Sequence, residues 1–228
     1  MTKFWHNVQM KRKNYYSGHR YPSEIISHAV WLYHRFSLSF RDIEEILAIR
    51  GINVSYESIR YWCLKFGGQY AKKIRSRAGR SGDAWHLDEV FISIRDERHY
   101  LWRAVDQDGE TLDILMQPRR DKRAAKRFFR KLIKGMQYAP RKIITDKLRS
   151  YAAAHREVMP TVIHEQGKRK NNRIEGSHQP TRQQERQMRR FKSAAQAQRF
   201  LSAHAAINNL FRVGRHRLKA AHYRVFRE

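Results

Sequence analysis

Hydrophobic residues near the N-terminus recur every three to four positions, a spacing that predicts helices with one buried face. Three helices are predicted, capped at their starts by Ser23, Ser39 and Ser55. Gly51 interrupts the pattern between the second helix and the third, and the third is predicted to end near Phe66. The first part of the chain is therefore predicted to be all-helical.

The second and third of these helices, joined by a turn at Gly51, have the order of a helix-turn-helix. Such a motif places the second helix in the DNA major groove. The exposed positions expected to contact DNA there are Tyr56, Ser58, Arg60 and Tyr61. A plain three-helix bundle has the same pattern and is the alternative, but the basic segments on either side favour DNA binding.

From Trp85 the hydrophobic period becomes that of strands. The runs Trp85–Ile94, His99–Val105 and Thr111–Met116 predict an antiparallel meander with tight turns. An amphipathic helix at Asp121–Gly135 and a fourth strand at Arg141–Thr145 are predicted to follow.

The remaining pattern predicts a helix through Tyr151 and a short fifth strand at Val162–His164. A helix from about Asn172 past Phe191 and a final helix at 194–211 follow. The element order is that of an RNase H-like α/β fold, a mixed sheet with flanking helices, preceded here by an all-α helix-turn-helix domain.

Five parts of the chain are predicted from these elements: a basic lead-in at 1–20, a helix-turn-helix domain at 21–70, a linker at 71–82, an RNase H-like domain at 83–193 and a basic helical extension at 194–228.

Charge is large and unevenly distributed in this chain of 228 residues, whose formal net charge is +27. Residues 1–80 hold 15 basic and 5 acidic side chains, and residues 176–228 hold 12 and 2. The middle holds 14 of the 21 acids. The middle is still net positive but holds most of the acids, so this layout predicts a polyanionic partner that is bound by two basic arms on either side of a catalytic core.

Other classes of protein fit the sequence poorly. No apolar run is long enough to span a membrane, no lipidation motif is present, and the N-terminus lacks the features of a secretory signal. Cys63 is the only cysteine, which excludes an intrachain disulfide and a cysteine-built zinc site. A reducing cytoplasm fits these observations, and no membrane partner is expected.

Three carboxylates stand out within this middle segment. Asp88 lies within the first predicted strand and Asp146 ends the fourth, so neighbouring strands would bring both to one edge. Glu175, near the start of a crossing helix, could complete a site for two Mg²⁺ ions about 3.5–4 Å apart. An aspartate after a strand is also commonly a turn or cap residue, and Glu165 and Glu185 are rivals for the third place.

Three further side chains are predicted to have structural roles. Glu89 should point to the opposite face of its strand from Asp88, where it is expected to be solvated or salt-bridged. Trp62 and Trp102 lie in apolar patterns and are expected in the core rather than stacked on bases.

Six strings follow one another in the second part of the chain: WHLDEVF, YLWRAVDQDG, FFRKLIKG, IITDK, NNRIEGSHQPTR and RRFKSA. In this order they resemble the bacterial insertion-sequence transposases of the DDE superfamily. They are most similar to the insertion sequence six family, and the likeness extends over roughly residues 21–205. The resemblance implies that Asp88, Asp146 and Glu175 are both the catalytic residues and the metal ligands.

The resemblance also implies Mg²⁺ or Mn²⁺ as cofactor, two ions in number, and double-stranded DNA as partner, both the terminal inverted repeats and the target. A homodimer or higher oligomer in the bacterial cytoplasm, associated with the nucleoid, is implied as well. Two departures bear on activity. Only 28 residues separate Asp146 from Glu175, where the family has a number in the mid-thirties, and Arg190 replaces a family glycine.

A basic band surrounds Glu175, and acids are nearly absent after it, so the band is expected to follow DNA phosphates rather than only to face solvent. His178, three residues after Glu175, is expected on the same helix face, with a structural role as the alternative. The expected contacts are Lys147, Lys168, Arg169, Lys170, Arg173, His178, Arg182, Arg186, Arg189, Arg190 and Lys192.

The predicted function is a transposase that binds the terminal repeats, nicks the element ends and transfers the freed 3′-OH to target DNA by metal-dependent transesterification. A DNA-binding regulator without catalysis and an RNase H-like nuclease or resolvase are the alternatives. The regulator would need no metal, and the nuclease would hydrolyse DNA without joining it.

Overall fold

A computed structural model describes residues 15–167 and 171–211, without the side chains of Asn172, Arg173 and Glu175. The predicted contacts Lys168, Arg169 and Lys170 lie outside the described residues, as do 1–14 of the predicted lead-in and 212–228 of the predicted extension.

The described residues form seven helices and five strands. The helices are α1 Ser23–Arg35, α2 Phe40–Ala48, α3 Tyr56–Arg77, α4 Lys122–Met136, α5 Arg149–Val158, α6 Asn172–Gln187 and α7 Ala194–Leu210. The strands are β1 Ala84–Ile94, β2 Glu97–Asp106, β3 Thr111–Gln117, β4 Lys142–Thr145 and β5 Ile163–Gln166.

The strands form one mixed sheet in the order β3-β2-β1-β4-β5. Strands β1, β2 and β3 pair antiparallel, whereas β4 lies parallel to both β1 and β5. This confirms the predicted RNase H-like α/β fold, and it makes β1 and β4 direct neighbours.

Each face of the sheet buries a different set of helices. Trp85, Leu87 and Trp102 pack on one face with the aromatic side chains of α4 and α5. Ile92 and Leu101 point to the other face and pack with α1, α2, α3 and α7 in one continuous core. The N-terminal helices and this face of the sheet therefore share one core, to which α7 also contributes.

The capping predictions were mostly confirmed. The side chain of Ser39 accepts a hydrogen bond from the backbone of Asp42, whose carboxylate accepts one from the backbone of Ser39, so the two form a capping box at α2. Ser55 caps α3. The prediction for Ser23 was wrong, because α1 begins at that residue and Pro22 occupies the cap position.

The predicted linker at 71–82 was wrong over its first part, since α3 continues to Arg77. Gly67 lies so close to His34 that an added Cβ would be 2.6 Å from its imidazole Nε2. The following residues Tyr70 and Ala71 are buried. The glycine at this position therefore permits close packing of α3 on α1 and does not end the helix.

The predicted extension is part of the core as far as residue 211. Helix α7 packs on α3, α1 and β3. The side-chain amide of Asn209 donates to the backbone oxygen of Thr111, and Arg75 of α3 donates to the backbone oxygen of Ser202. Helix α7 thus joins the N-terminal helices to the sheet.

Helix α6 ends earlier than predicted, at Gln187. Arg189 and Arg190 follow with φ angles of 48° and 69°, in the left-handed region. Their backbone N–H groups donate to the carbonyls of Arg186 and Glu185, a Schellman-type ending. Arg190 stands at the position where the resemblance places a glycine. Its left-handed backbone conformation costs an arginine more free energy than it would cost a glycine.

No helix in the described part of the chain is long and apolar enough to cross a membrane.

Two buried histidines lie at the contact between α1 and α7. His204 Nδ1 is 2.8 Å from the backbone oxygen of His34, and since a carbonyl only accepts, Nδ1 carries the proton. Burial lowers the pKa of His34 to about 3 and that of His204 to about 4. Both imidazoles are therefore neutral in the folded protein at pH 7.

We expect acidification to loosen this contact. A histidine in the unfolded chain has a pKa near 6.5, well above the pKa of either buried histidine. Below pH 6.5 the unfolded chain therefore binds protons that the folded protein does not, and the unfolding free energy falls as the pH is lowered towards the folded pKa. Lowering the pH from 7 to 5 should reduce the unfolding free energy by about 2 kcal/mol for each of the two histidines. Urea unfolding of wild type and His204→Gln at both pH values measures this. If the unfolding free energy of His204→Gln fell between pH 7 and pH 5 by as much as that of wild type, the role of His204 would be contradicted.

Candidate active site

The pairing of β1 with β4 brings two of the predicted carboxylates to one end of the sheet. His86 is the register partner of Ile144, in the last pair between the two strands. Asp88 follows two residues later on β1, and Asp146 comes just after the end of β4 at Thr145. The structure thus brings both residues to the carboxyl end of β4, where both lie close to the Glu89 carboxyl group.

Asp88 is held by a histidine from α6. Its Oδ2 lies 3.0 Å from His178 Nε2, and since a carboxylate only accepts, Nε2 carries the proton. Burial lowers the pKa of His178, although the hydrogen bond to Asp88 acts in the opposite direction. His178 is only 7% exposed, which fits the structural alternative and not an open phosphate contact.

A buried arginine stands opposite Asp88 on the neighbouring strand. Arg103 of β2 is the register partner of Asp88 and is 4% exposed. Its guanidinium donates to the backbone oxygen of Ser177 and to the hydroxyl oxygen of Thr181, both on α6. Arg103 thereby fixes α6 against the sheet beside Asp88.

The start of α6 is anchored to the same strand. The side-chain amide of Asn171 donates to the backbone oxygen of Leu87 at 2.8 Å. Position 175 lies four residues after this anchor and three before His178, a spacing that puts all three on one helix face. The backbone at position 175 therefore lies on the side of α6 that faces β1.

Glu89 was predicted to be either solvated or salt-bridged, and the structure shows a salt bridge but little contact with solvent. Its carboxylate is 3.3 Å from the guanidinium of Arg120, but the residue is only 9% exposed. Burial raises the pKa of Glu89 to about 7, the neighbouring Tyr151 hydroxyl lowers it, and the nearby Asp146 and Asp88 raise it further. Glu89 is buried because α5 covers this face of the sheet.

Asp146 also serves as a local cap. Its Oδ1 accepts a hydrogen bond from the backbone N–H of Leu148 at 3.0 Å, at the start of α5. The rival acids are both in ion pairs, Glu165 with Lys142 at 3.2 Å and Glu185 with Arg182 at 2.9 Å.

The donor chemistry around Asp88 suits a divalent cation. Asp88 and Asp146 lie close enough to Glu89 for their charges to add to the rise in its pKa, which burial mainly causes. Hard cations such as Mg²⁺ prefer such carboxylate oxygens. Among the residues that the structure describes, no three acidic, histidine or cysteine side chains form a ready-made metal cluster.

A family model described as a DDE domain, of the IS240 transposase type, matches residues 82–214. A transposase for the insertion sequence-like element IS431mec of Staphylococcus aureus is 34% identical over 170 residues, covering 72% of this chain and 75% of the relative. The chain belongs to the family of insertion-sequence DDE transposases.

One further relative and one solved structure also match. The transposase for insertion sequence element IS257 in transposon Tn4003 of Staphylococcus aureus has the same identity and coverage. One solved structure, a cryo-EM structure of a simian T-cell lymphotropic virus intasome in complex with the PP2A regulatory subunit B56 gamma, covers 45% of this chain and 39% of that chain at 16% identity and a TM-score of 0.37. The family assignment does not depend on the latter.

Several residues around Asp88 in the transposase were missed from the sequence. Arg103 breaks an apolar alternation between Leu101 and Val105, and a charge at such a core-facing position could have drawn attention. Arg120 and Asn171 lie in connections without a regular pattern. Their roles depend on β1 residues that are 31 and 84 positions away.

The predicted DNA-reading positions lie on the first two turns of α3. Arg60 and Tyr61 are exposed, whereas Tyr56 and Ser58 are half-buried. The guanidinium of Arg41 lies 4.3 Å from the centre of the Tyr56 ring. The backbone N–H of Ser58 donates to the capping residue Ser55. This leaves Arg60 and Tyr61 as the more accessible pair.

The described members of the predicted basic band are mostly at the surface. Lys147, which follows Asp146, is exposed. Those on or just after α6 are Arg182, which is half-buried, and Arg186, Arg189, Arg190 and Lys192, which are exposed. The side chain of Arg173 lies outside the description.

Proposed function

We propose that this transposase binds the terminal inverted repeats of an insertion sequence, nicks the element ends and joins the freed 3′-OH to target DNA. Asp88, Asp146 and Glu175 are the proposed catalytic carboxylates and metal ligands. The observation that supports the proposal is the parallel pairing of β1 with β4, which brings Asp88 and Asp146 to one end of the sheet, where His178 of α6 and the preceding Asn171 contact β1.

Mg²⁺ or Mn²⁺, as two ions, is the proposed cofactor, held by these carboxylates. When bound, such ions activate the attacking oxygen and stabilise the leaving oxygen of an in-line displacement. The fit rests on the oxygen donors of Asp88 and Asp146, because a divalent cation offsets the mutual repulsion of neighbouring carboxylates.

The protein's own contribution is to orient these carboxylates before DNA arrives. His178 holds one oxygen of Asp88, and the backbone of Leu148 holds one oxygen of Asp146. Arg103 and Asn171 fix the helix that carries position 175. One oxygen of each of these two carboxylates is thus oriented by a hydrogen bond, as is common for the ligands of a metal ion.

The 28-residue spacing between Asp146 and Glu175 is compatible with this arrangement. Helix α5, strand β5 and the first turn of α6 all form within it, and α6 still reaches β1. The shortened segment therefore leaves the supporting elements in place, which supports an active enzyme over a crippled copy.

DNA binding is proposed for the exposed end of α3 and for the basic band along α6. A net charge of +27 supports binding to phosphates, and affinity should fall steeply with salt. Two element ends must be held together for joining, so at least a dimer is proposed. A DNA-binding regulator without catalysis would not need Asp88 and Asp146 at the same end of the sheet. The joining of element ends to target DNA would distinguish the transposase from a nuclease.

The assignment of the third carboxylate is tested with Glu175→Gln. A labelled element-end duplex, a target plasmid and Mg²⁺ should yield joined product with wild type, and the variant should lower it about 10³-fold or more. Glu185→Gln and Glu165→Gln are matched controls that should retain joining. Loss of joining in Glu185→Gln, with Glu175→Gln active, would show that Glu185 is the third carboxylate instead.

A further inference from the structure

The outer face of helix α4 carries one cation on each turn. Four of its side chains are spaced four, three and four residues apart, so they form a single line along the helix. All four are exposed, and the opposite face of the helix is buried against the sheet. These residues, the α4 row, are Arg123, Arg127, Arg130 and Lys134.

The three remaining cations of α4 have carboxylate partners. Glu157 of α5 forms ion pairs with Lys122 and Lys126, and Asp113 of β3 forms one with Lys131. Among the residues that the structure describes, no carboxylate forms an ion pair with a member of the α4 row. The positive charge of the row is therefore available to an external anion.

The charge and spacing of the row suit a DNA duplex. Like charges on successive turns destabilise a helix, and no acidic residue lies between Asp121 and Asp146 to offset this repulsion. Arg127 also donates to the side-chain oxygen of Gln117 at 3.4 Å, but that amide is neutral. The row spans about 16 Å, and each DNA strand carries one phosphate per about 3.4 Å of duplex axis. Four long side chains can therefore each reach a phosphate of one duplex.

The α4 row and the proposed reading helix α3 lie on opposite faces of the sheet. Helix α4 packs with α5 on the face that holds Trp85 and Leu87, whereas α3 belongs to the core on the other face. A duplex at the start of α3 and a duplex at the row would thus occupy different sides of the sheet.

The row begins at the end of the sheet that carries the proposed catalytic carboxylates. Strands β1 and β3 both pair antiparallel with β2, and β1 is parallel to β4, so β3 and β4 run in the same direction. Helix α4 follows β3 and therefore starts at the end of the sheet where β4 finishes and Asp146 follows. Just before α4, Arg120 lies 3.3 Å from Glu89, whose carboxyl group is close to Asp88 and Asp146.

We propose that the α4 row binds the phosphates of the target duplex while the element end is bound at α3. The site rests on the proposed function and adds to it a place for target DNA. Phosphate contacts carry no sequence information, which suits a target that lacks the terminal repeat. The row then orients the target towards the end of the sheet where Asp88 and Asp146 lie.

The test measures how full-length protein binds a labelled duplex without the terminal repeat, in the absence of Mg²⁺ and over a series of salt concentrations. Unlabelled element end is present in excess, so that the surface at α3 is already occupied. Arg123→Gln/Arg130→Gln should weaken binding of the labelled duplex about tenfold or more. It should also reduce the slope of log affinity against log salt concentration by about 2, because two phosphate contacts are lost. The affinity for the element end itself should be unchanged.

Lys122→Gln/Lys126→Gln is the matched control. It removes the same charge from the same helix, but from side chains that are paired with Glu157, and it should retain target binding and the salt slope. With Mg²⁺, Arg123→Gln/Arg130→Gln should nick element ends at the wild-type rate and need about tenfold more target DNA for half-maximal joining. Its unfolding free energy should not fall, because the substitutions remove like-charge repulsion at exposed positions.

Unchanged target affinity and salt slope in Arg123→Gln/Arg130→Gln would overturn the target site and leave the row as a solvated surface. An equal loss of affinity for the element end would assign the row to that duplex instead, and an equal loss in the lysine control would reduce the effect to net charge. Nicking by wild type separates the two proposals. Absent nicking contradicts the proposed function while the binding comparison still tests the row, whereas intact nicking with unchanged target binding contradicts only the row.

Discussion

Asp88→Asn should lower both nicking and strand transfer by about 10³-fold or more while leaving the affinity for the element end unchanged. The substitution keeps the size of the side chain and its ability to accept a hydrogen bond from His178, but it removes the charge that a divalent cation requires. Asp146→Asn should have the same effect, because Asp146 follows β4 at the end of the sheet where Asp88 also lies, and it is a proposed ligand of the same cations.

The measurement is a single-turnover assay with a labelled element end, in which nicked and joined products are separated by size. Binding to the same duplex is followed without metal. Asp96→Asn is the matched control, since Asp96 is exposed at the β1–β2 turn and its ion pair with Arg190 lies on the surface. Substantial joining by Asp88→Asn would contradict the metal-ligand role and favour the regulator.

Arg103→Met should lower the unfolding free energy by about 3 kcal/mol and also reduce joining about 100-fold in protein that is still folded. Methionine fills a similar volume but leaves the Ser177 carbonyl and the Thr181 hydroxyl without their donor. It also removes the positive charge opposite Asp88. Helix α6 should then lose its fixed position relative to β1.

Urea unfolding measures the stability, and joining is assayed at a temperature where the variant remains folded. Thr181→Val serves as the partial control, because it removes one acceptor of Arg103 and keeps the charge. Thr181→Val should lower the unfolding free energy by about 1 kcal/mol and retain most of the joining activity. If Arg103→Met were destabilised but joined DNA at the wild-type rate, Arg103 would be purely structural and would not position the site.

Local sequence patterns were sufficient for most of the fold. The alternation in Trp85–Ile94 and the helical period around Phe128 reflect burial of one face, and this period is a property of neighbouring residues alone. The order of these elements then predicted the mixed sheet. The helix ends were less predictable, as at Gly67, because contacts between distant residues override local propensity.

Sequence by itself identified the family and two carboxylates, Asp88 and Asp146, because each follows or lies within an apolar strand in a recognisable string. Only the tertiary structure decided what holds them. His178 and Asn171 reach β1 from more than 80 residues away, and the roles of Arg103 and Glu89 depend on which helices cover each face of the sheet. Burial and charge at such positions arise from long-range packing, which no local pattern specifies.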